Sequence, residues 1–428
     1  MLLAVSSRRK RLEVWSWSLY DFANSSFTTI CVTFVYATYF AQAIVGDEQR
    51  GTVLWSRGVA ITAVAVAILS PVLGTIADRG GLRKRFLLLS TLVCVGATAA
   101  LYPVLPGQVT RALWLFIVAN VAFEIGMVFY NAFLPDIAPR EKIGRISGNG
   151  WAMGYVGGLL ALVLALVLMV QPEEPWFGLS KELGQNIRAT NLLVAVWFLV
   201  FSLPALIWLR EERRAGTEKG HVLRETATQL RSTWQEVRAY PELVRFLVAR
   251  LFYNDGLVTV IAFGALYASG TFGFTFEEVL LFGIVLNVAA AVGAFGLGFL
   301  DDRLGGKRTI QISLWGLGLA SLLAIFTDSR ALFWVAGSLI GVFLGPNQSA
   351  SRSLMARFVP DDKESEFFGF FAFSGKMTAF VGPLVLGLLV QIFDSQRIGM
   401  LIVVLLFLVG YLLLARVDEA KGQVEAGR

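Results

Sequence analysis

Charged side chains inside long apolar stretches are the residues of this sequence that could do chemistry. Glu124 lies near the middle of the apolar stretch 112–134, far from either end. A carboxylic acid is costly to place there, and it can take up and release a proton. The sequence therefore indicates Glu124 as the first candidate for a proton-coupling group. The alternative is a structural hydrogen bond to a neighbouring helix.

Two aspartates occupy related positions near the starts of other apolar stretches. Asp21 follows Tyr20 in the stretch 16–44, and Asp255 follows Tyr253-Asn254 in the stretch 246–269. Both are further candidates for proton coupling. For both, the favoured alternative is pairing with an arginine at the membrane boundary, which would make them capping or gating groups.

Lys376 is the only lysine inside an apolar stretch. It lies about ten residues from the start of the stretch 366–390, which is awkward for a side chain that must reach the water interface. It could bind a substrate carboxylate, or it could pair with a buried acid.

Uncharged polar side chains share helix faces with these groups. Asp21 shares a face with Ser25 and Thr28, and Glu124 shares one with two asparagines. The candidates for substrate contact are Asn24, Asn120, Asn131, Asn254, Asn347, Gln348, Phe371 and Lys376.

The elements that must position these groups follow from composition. Of the 428 residues, 56% are hydrophobic and 16% charged, against about 25% charged in typical soluble domains. Twelve apolar stretches are each near the roughly 20 residues that cross a bilayer as a helix. They are too long and do not alternate as barrel strands do. The sequence predicts an all-α membrane protein with twelve transmembrane helices, at 16–44, 57–77, 86–105, 112–134, 146–170, 190–209, 246–269, 278–300, 309–326, 331–350, 366–390 and 397–415.

Basic residues predict the orientation of these helices. If the chain starts inside, 29 of its 37 Lys and Arg lie in the inner segments and 7 in the outer ones. The positive-inside rule then places both termini in the cytoplasm, in a multi-pass protein of the inner membrane. The basic charge is thereby assigned to topology, and nucleic acid is not an expected partner.

A long polar stretch divides the helices six and six. We expect an N-terminal bundle at 1–209, a cytoplasmic linker at 210–245 and a C-terminal bundle at 246–428. The linker is too short for a core of its own.

Several kinds of chemistry are not expected. Cys31 and Cys94 lie in apolar stretches, and His221 is the only histidine, so no metal site is predicted. The sequence lacks a phosphate-binding G-x-x-x-x-G-K-S/T loop and a clustered set of catalytic residues. We expect no cofactor and no enzyme activity.

Two loops, at residues 74–84 and 298–308 and six helices apart, carry the same pattern G-x-x-x-D-R-x-G-x-basic-basic. This pattern resembles the signature loop of the major facilitator superfamily, with the basic pair shifted by one residue. The resemblance implies two pseudo-symmetric six-helix bundles. Charged side chains there can form a network that stabilises one of two bundle arrangements. The gating candidates are Gly74, Asp78, Arg79, Arg83, Gly298, Asp302, Arg303 and Lys307.

Further segments resemble one family of that superfamily, which contains the fungal autophagy-related vacuolar amino-acid effluxers. These segments are residues 17–27, 129–137, 150–158, 253–256, 351–354, 366–369 and 374–376. The resemblance implies transport of a small molecule, such as an amino acid, with helices 1, 4, 7 and 10 lining the cavity. We expect the protein to be a monomer. The Gly-Pro of the superfamily's antiporters is absent from helix 5, although Gly382-Pro383 occurs in helix 11.

The sequence thus favours a secondary active transporter that is coupled to protons and works by alternating access. The alternative is a membrane scaffold or sensor that has this fold but does not transport. The substrate and the direction of transport stay open.

Overall fold

The computed structural model describes residues 2–211, 239–361 and 363–427. Of the predicted linker 210–245, residues 212–238, which include His221, lie outside the described residues. The described chain forms twelve long helices and one short helix at its end. They are α1 (2–44), α2 (Glu48–Gly80), α3 (Arg83–Ala99), α4 (Val109–Ile137), α5 (Arg140–Val170), α6 (Gln185–Trp208), α7 (Pro241–Phe272), α8 (Phe276–Leu304), α9 (Gly306–Phe326), α10 (Arg330–Phe358), α11 (Glu364–Phe393), α12 (Gln396–Ala415) and α13 (Glu419–Glu425).

The twelve predicted transmembrane helices are confirmed. Eleven are long and apolar enough to span a bilayer by themselves, and α3 has 17 residues, or about 25 Å at 1.5 Å per residue. Large apolar side chains such as Ile68, Val292 and Ile392 are more than 60% exposed. Such an outer surface suits lipid, which takes the place of a water-facing polar shell.

The helices are longer than the apolar stretches that predicted them. α7 begins at Pro241, a residue favoured in the first turn of a helix, and α10 continues to Phe358. Arg250 lies well inside α7, within the predicted stretch 246–269, whereas Arg352 and Arg357 lie in α10 beyond its predicted end at residue 350. That predicted end was wrong, because this part of the helix buries polar side chains against other helices.

The twelve helices pack as two bundles. In the first, α1 packs against α5 and α6, and α4 against α2 and α3; in the second, α7 packs against α12 and α11, and α10 against α8 and α9. The bundles meet mainly through α2 with α11 and through α5 with α8. We call the face that holds the chain ends the terminal face, since Lys10 and Glu419 line one cavity there. The other is the opposite face.

The two repeated loops lie at these crossings between the bundles. A Cβ on Gly74 would lie 2.4 Å from the carbonyl oxygen of Ser365 on α11. A Cβ on Gly298 would lie 3.3 Å from the Cα of Arg145 on α5. Both repeats thus use a glycine where one helix approaches the backbone of the other bundle.

Gly74→Ala is expected to lower thermal stability more than Gly298→Ala. The new methyl group meets a carbonyl oxygen at 2.4 Å in the first case, so that the backbone must shift, and a tight contact at 3.3 Å in the second, which needs a shift of only a few tenths of an ångström. Overpacking of this kind costs about 1–3 kcal/mol. Thermal unfolding of the purified variants measures the difference. Gly96→Ala, with no atom within 4 Å of the new methyl, is the control; equal losses for Gly74 and Gly96 would contradict the prediction.

α11 is interrupted near its middle. Its first segment ends at Met377 and its second begins at Val381. Pro383 lacks an N–H and its ring clashes with the carbonyl four residues earlier, so a regular helix cannot continue through this point. Discontinuous helices at this depth commonly border the binding sites of transporters.

Candidate substrate and gating site

An ion pair joins the two bundles at the middle of the helices. Lys376 Nζ donates to Glu124 Oε1 at 2.6 Å. Glu124 lies about midway along α4, and Lys376 lies one residue before the break in α11. The side chains remain 20% and 31% exposed. The two sequence-predicted charges are therefore partners, and the pair is only partly buried.

Arg250 of α7 lies beside this pair and contacts the first segment of α11. Its guanidinium donates to the carbonyl oxygen of Phe371 at 2.8 Å and to Ser374 Oγ at 2.9 Å, and it lies 3.6 Å from the centroid of the Phe371 ring. Arg250 is 7% exposed. Among the described residues no carboxylate forms a salt bridge with it, and its Nε has no hydrogen-bond partner. A buried cation that no carboxylate bonds to is a ready site for an anion.

Other side chains of α7 hold the broken part of α11. Asn254 donates to the carbonyl oxygen of Gly375 at 2.9 Å, and Asp255 accepts the backbone N–H of Gly382 at 2.8 Å. The Asp255 carboxylate therefore caps the first turn of the second segment of α11. Asp255 and Asn254 thus fix the geometry around Lys376.

A second ion pair between the bundles lies closer to the terminal face. Arg352 of α10 donates to Asp21 of α1 at 2.9 Å, to Asn131 of α4 at 3.3 Å and to the Ser147 carbonyl of α5 at 2.7 Å. Its guanidinium lies 4.6 Å from the ring centroid of Trp17. Arg352 is 2% exposed. The expected arginine partner of Asp21 exists, but it comes from the other bundle and from inside a helix.

At the terminal face, Arg83 forms ion pairs with acidic side chains from both bundles. It donates to Asp136 at 2.6 Å, to Glu364 at 2.7 Å and to Asp78 at 3.3 Å. Asp78 also accepts the backbone N–H groups of two residues, at 3.0 Å and 2.8 Å, in the first turn of α11. The motif aspartate therefore caps a helix of the opposite bundle.

The second repeat makes the matching contact. Asp302 at the end of α8 accepts the backbone N–H of Arg145 at 3.1 Å, near the start of α5, and it also forms an ion pair with that side chain. The preceding Asp301 is buried and pairs with Arg357 of α10 at 2.7 Å. Both repeats thus place an aspartate near the start of a helix from the other bundle.

Every hydrogen bond recorded between the bundles among the described residues lies at the terminal face or in the middle. From the terminal face towards the middle, these hydrogen bonds are made by Asp78 and Asp302, then by Arg352, and finally by Lys376. In the part of the chain that the structure describes, none lies at the opposite face. The polar contacts between the bundles are thus concentrated at the terminal face and at mid-depth.

The remaining predicted residues have separate environments. Asn24 donates toward Asp21 at 3.4 Å, and Asn347 donates to Ser313 at 3.0 Å. Asn120 is buried and Gln348 is half-buried. Of the gating candidates, Arg79 is half-buried and Arg303 is exposed, whereas Lys307 donates to the carbonyl oxygen of Ala415 within its own bundle.

Comparison with known proteins agrees with this architecture. The family described as "Vacuole effluxer Atg22 like" matches residues 51–427. The uncharacterized MFS-type transporter YxiO of Bacillus subtilis is 28% identical over 94% of both chains. Autophagy-related protein 22 of Cryptococcus neoformans is 27% identical over 66% of this chain and 54% of its own length.

Solved structures show the same fold at low sequence identity. The proton:xylose symporter XylE superposes with a TM-score of 0.74 at 14% identity, covering 97% of this chain and 98% of XylE. The Escherichia coli fucose:proton symporter FucP gives 0.72 at 14% identity over 96% and 98%. The twelve helices in two bundles are therefore those of the major facilitator superfamily. Within it, the chain belongs to the Atg22-like family of membrane transporters.

Proposed function

We propose that this protein is a secondary active transporter of a small solute, an amino acid or a related metabolite, and that it is coupled to protons through Glu124. The observation that carries the proposal is the partly exposed Glu124–Lys376 pair between the bundles. A scaffold or sensor would not need an exchangeable ion pair at mid-depth. The protein would act as a monomer in the inner membrane, with its terminal face in the cytoplasm.

The pair suggests how a solute and a proton could be exchanged. A solute carboxylate that bonds to Lys376 would replace Glu124, and the freed glutamate could then take up a proton without leaving net charge behind. Arg250, which forms no salt bridge among the described residues and lies against Phe371, offers a second cation for the same carboxylate. A solute with both a carboxylate and an ammonium group would fit the two signs of charge.

Alternating access follows from the position of the contacts between the bundles. The ion pairs that close the terminal face would have to break for the cytoplasmic side to open. The structure would then correspond to a state closed to the cytoplasm. FucP, which has the same fold with a TM-score of 0.69, has been solved in an outward conformation.

Uptake into proteoliposomes tests the proposal. Purified protein is reconstituted, and entry of a panel of labelled amino acids is measured with and without a pH gradient. We expect at least one amino acid to accumulate only when the gradient is present. The scaffold would be favoured if the protein is folded, as judged by its thermal transition, and yet moves no solute with or without the pH gradient.

Lys376→Met is expected to weaken binding of the transported amino acid about ten- to hundredfold, because a hydrogen bond to a charged group contributes about 1.5–3 kcal/mol. Methionine keeps the length of the side chain and removes its charge. Affinity can be measured from the ligand-induced shift of the thermal transition. Lys181→Met, in an exposed loop, is the control. Unchanged affinity in Lys376→Met would remove this lysine from the binding site.

A further inference from the structure

A long apolar groove runs along the membrane-facing surface where the bundles meet, between α1, α5 and α8. Its volume is about 800 Å³. The wall includes Trp15, Val156, Val292 and Phe295, which are between 42% and 64% exposed. Apolar side chains that are exposed in this way face the hydrocarbon of the bilayer. The groove is thus open to lipid along its length.

The charge of the groove is concentrated at one end. Lys10, Arg11 and Lys142 line it at the terminal face, and none of its lining residues is acidic. Among the described residues none of these three has an ion pair, while the nearby Glu13 is paired with Arg9 at 3.5 Å. The three cations therefore remain available to an anion held at the mouth of the groove.

The length of the groove matches one leaflet. From Ile146 to Val156 the α5 wall rises about 15 Å at 1.5 Å per residue, which is half of the roughly 30 Å hydrocarbon core. A ligand that fills it must therefore be apolar over one leaflet and anionic at the membrane surface. Anionic phospholipids have this chemistry, and basic clusters beside transmembrane helices attract them.

We propose that this groove is a binding site for an anionic diacyl phospholipid. The phosphate lies among Lys10, Arg11 and Lys142, and an acyl chain lies between α5 and α8. Because α1 and α5 belong to one bundle and α8 to the other, the bound lipid contacts both. It therefore binds best to the arrangement in which the terminal face is closed, and it stabilises that arrangement.

Native mass spectrometry of the detergent-solubilised protein tests the site. The protein is given equal amounts of phosphatidylglycerol and phosphatidylcholine with the same acyl chains. We expect at least about tenfold more bound phosphatidylglycerol, which corresponds to about 1.4 kcal/mol of preference. The triple variant Lys10→Gln/Arg11→Gln/Lys142→Gln is expected to bind the two lipids equally.

Two controls keep the test specific. Arg85→Gln/Arg308→Gln/Arg416→Gln removes the same charge from exposed positions outside the groove and should retain the preference. Ala291→Phe narrows the apolar part and should reduce binding of both lipids. The proposal is overturned if the two triple variants behave alike, if both lipids bind equally to the unaltered protein, or if glycerol phosphate displaces phosphatidylglycerol at equal concentration, since a free anion would then suffice.

Discussion

Glu124→Gln is expected to reduce accumulation driven by a pH gradient to the level of vesicles without protein, while exchange of solute across the membrane continues. Glutamine has the shape of glutamate, and its amide oxygen can still accept the hydrogen bond from Lys376. It cannot take up a proton or balance the lysine charge. The variant therefore separates proton coupling from the packing of the site.

The measurement compares two assays on the same proteoliposomes. Gradient-driven uptake requires the proton, whereas counterflow of labelled against unlabelled solute requires only binding and the bundle movement. Glu173→Gln, in an exposed loop at the opposite face, is the matched control and should resemble the unaltered protein. If Glu124→Gln still accumulates solute against its gradient, another group carries the proton.

The same pair shows what could be predicted from the sequence. Glu124 and Lys376 were both identified because each is a charge inside an apolar stretch, where it must have a partner or a function. Their contact could not be predicted, because they lie 252 residues apart in different bundles. The relative rotation of α4 and α11 decides it, and that depends on packing along both helices.

Arg352 lies in a part of α10 that hydropathy did not predict to be helical. Hydropathy ended helix 10 near residue 350, because the following residues are polar, whereas the helix continues to Phe358. Leu354, Met355 and Phe358 are buried and continue the helical spacing, so periodicity rather than mean hydropathy could have extended the helix. A buried acid as the partner of Arg352 could then have been predicted.

The repeated loops were the most informative feature of the sequence. They predicted the two-bundle fold, and the structure places Asp78 and Asp302 at equivalent crossings. The two networks differ in detail, however. Arg83 reaches across to Glu364, whereas Lys307 stays within its bundle. A repeat predicts equivalent backbone positions, but the side-chain partners depend on neighbours that the two halves do not share.

Asp21→Asn is expected to open the terminal face. Arg352 is 2% exposed and Asp21 is its only partner with a carboxylate among the described residues. Removing one member of a buried pair leaves an unbalanced charge and costs about 3–5 kcal/mol. Separation of the bundles admits water to Arg352 and relieves that cost. A change of about 3 kcal/mol would shift the ratio of closed to open molecules about a hundredfold.

Spin labels at positions 85 and 308 measure this shift, since Arg85 and Arg308 are exposed and belong to different bundles. The two native cysteines are buried and are replaced by alanine before labelling. We expect the distance between the labels to increase in Asp21→Asn. Asp21→Asn/Arg352→Gln, which removes both charges, should return it toward the closed value.

Burial is the property under test, so the matched control is an ion pair of similar length in water. Asp328 accepts from Arg397 at 2.6 Å, but its side chain is 94% exposed. Exposed pairs contribute about 0–1 kcal/mol, and Asp328→Asn should leave the label distance unchanged. If Asp21→Asn also leaves it unchanged, the Asp21–Arg352 pair does not hold the bundles together, and the closure rests on the aspartates that cap α5 and α11.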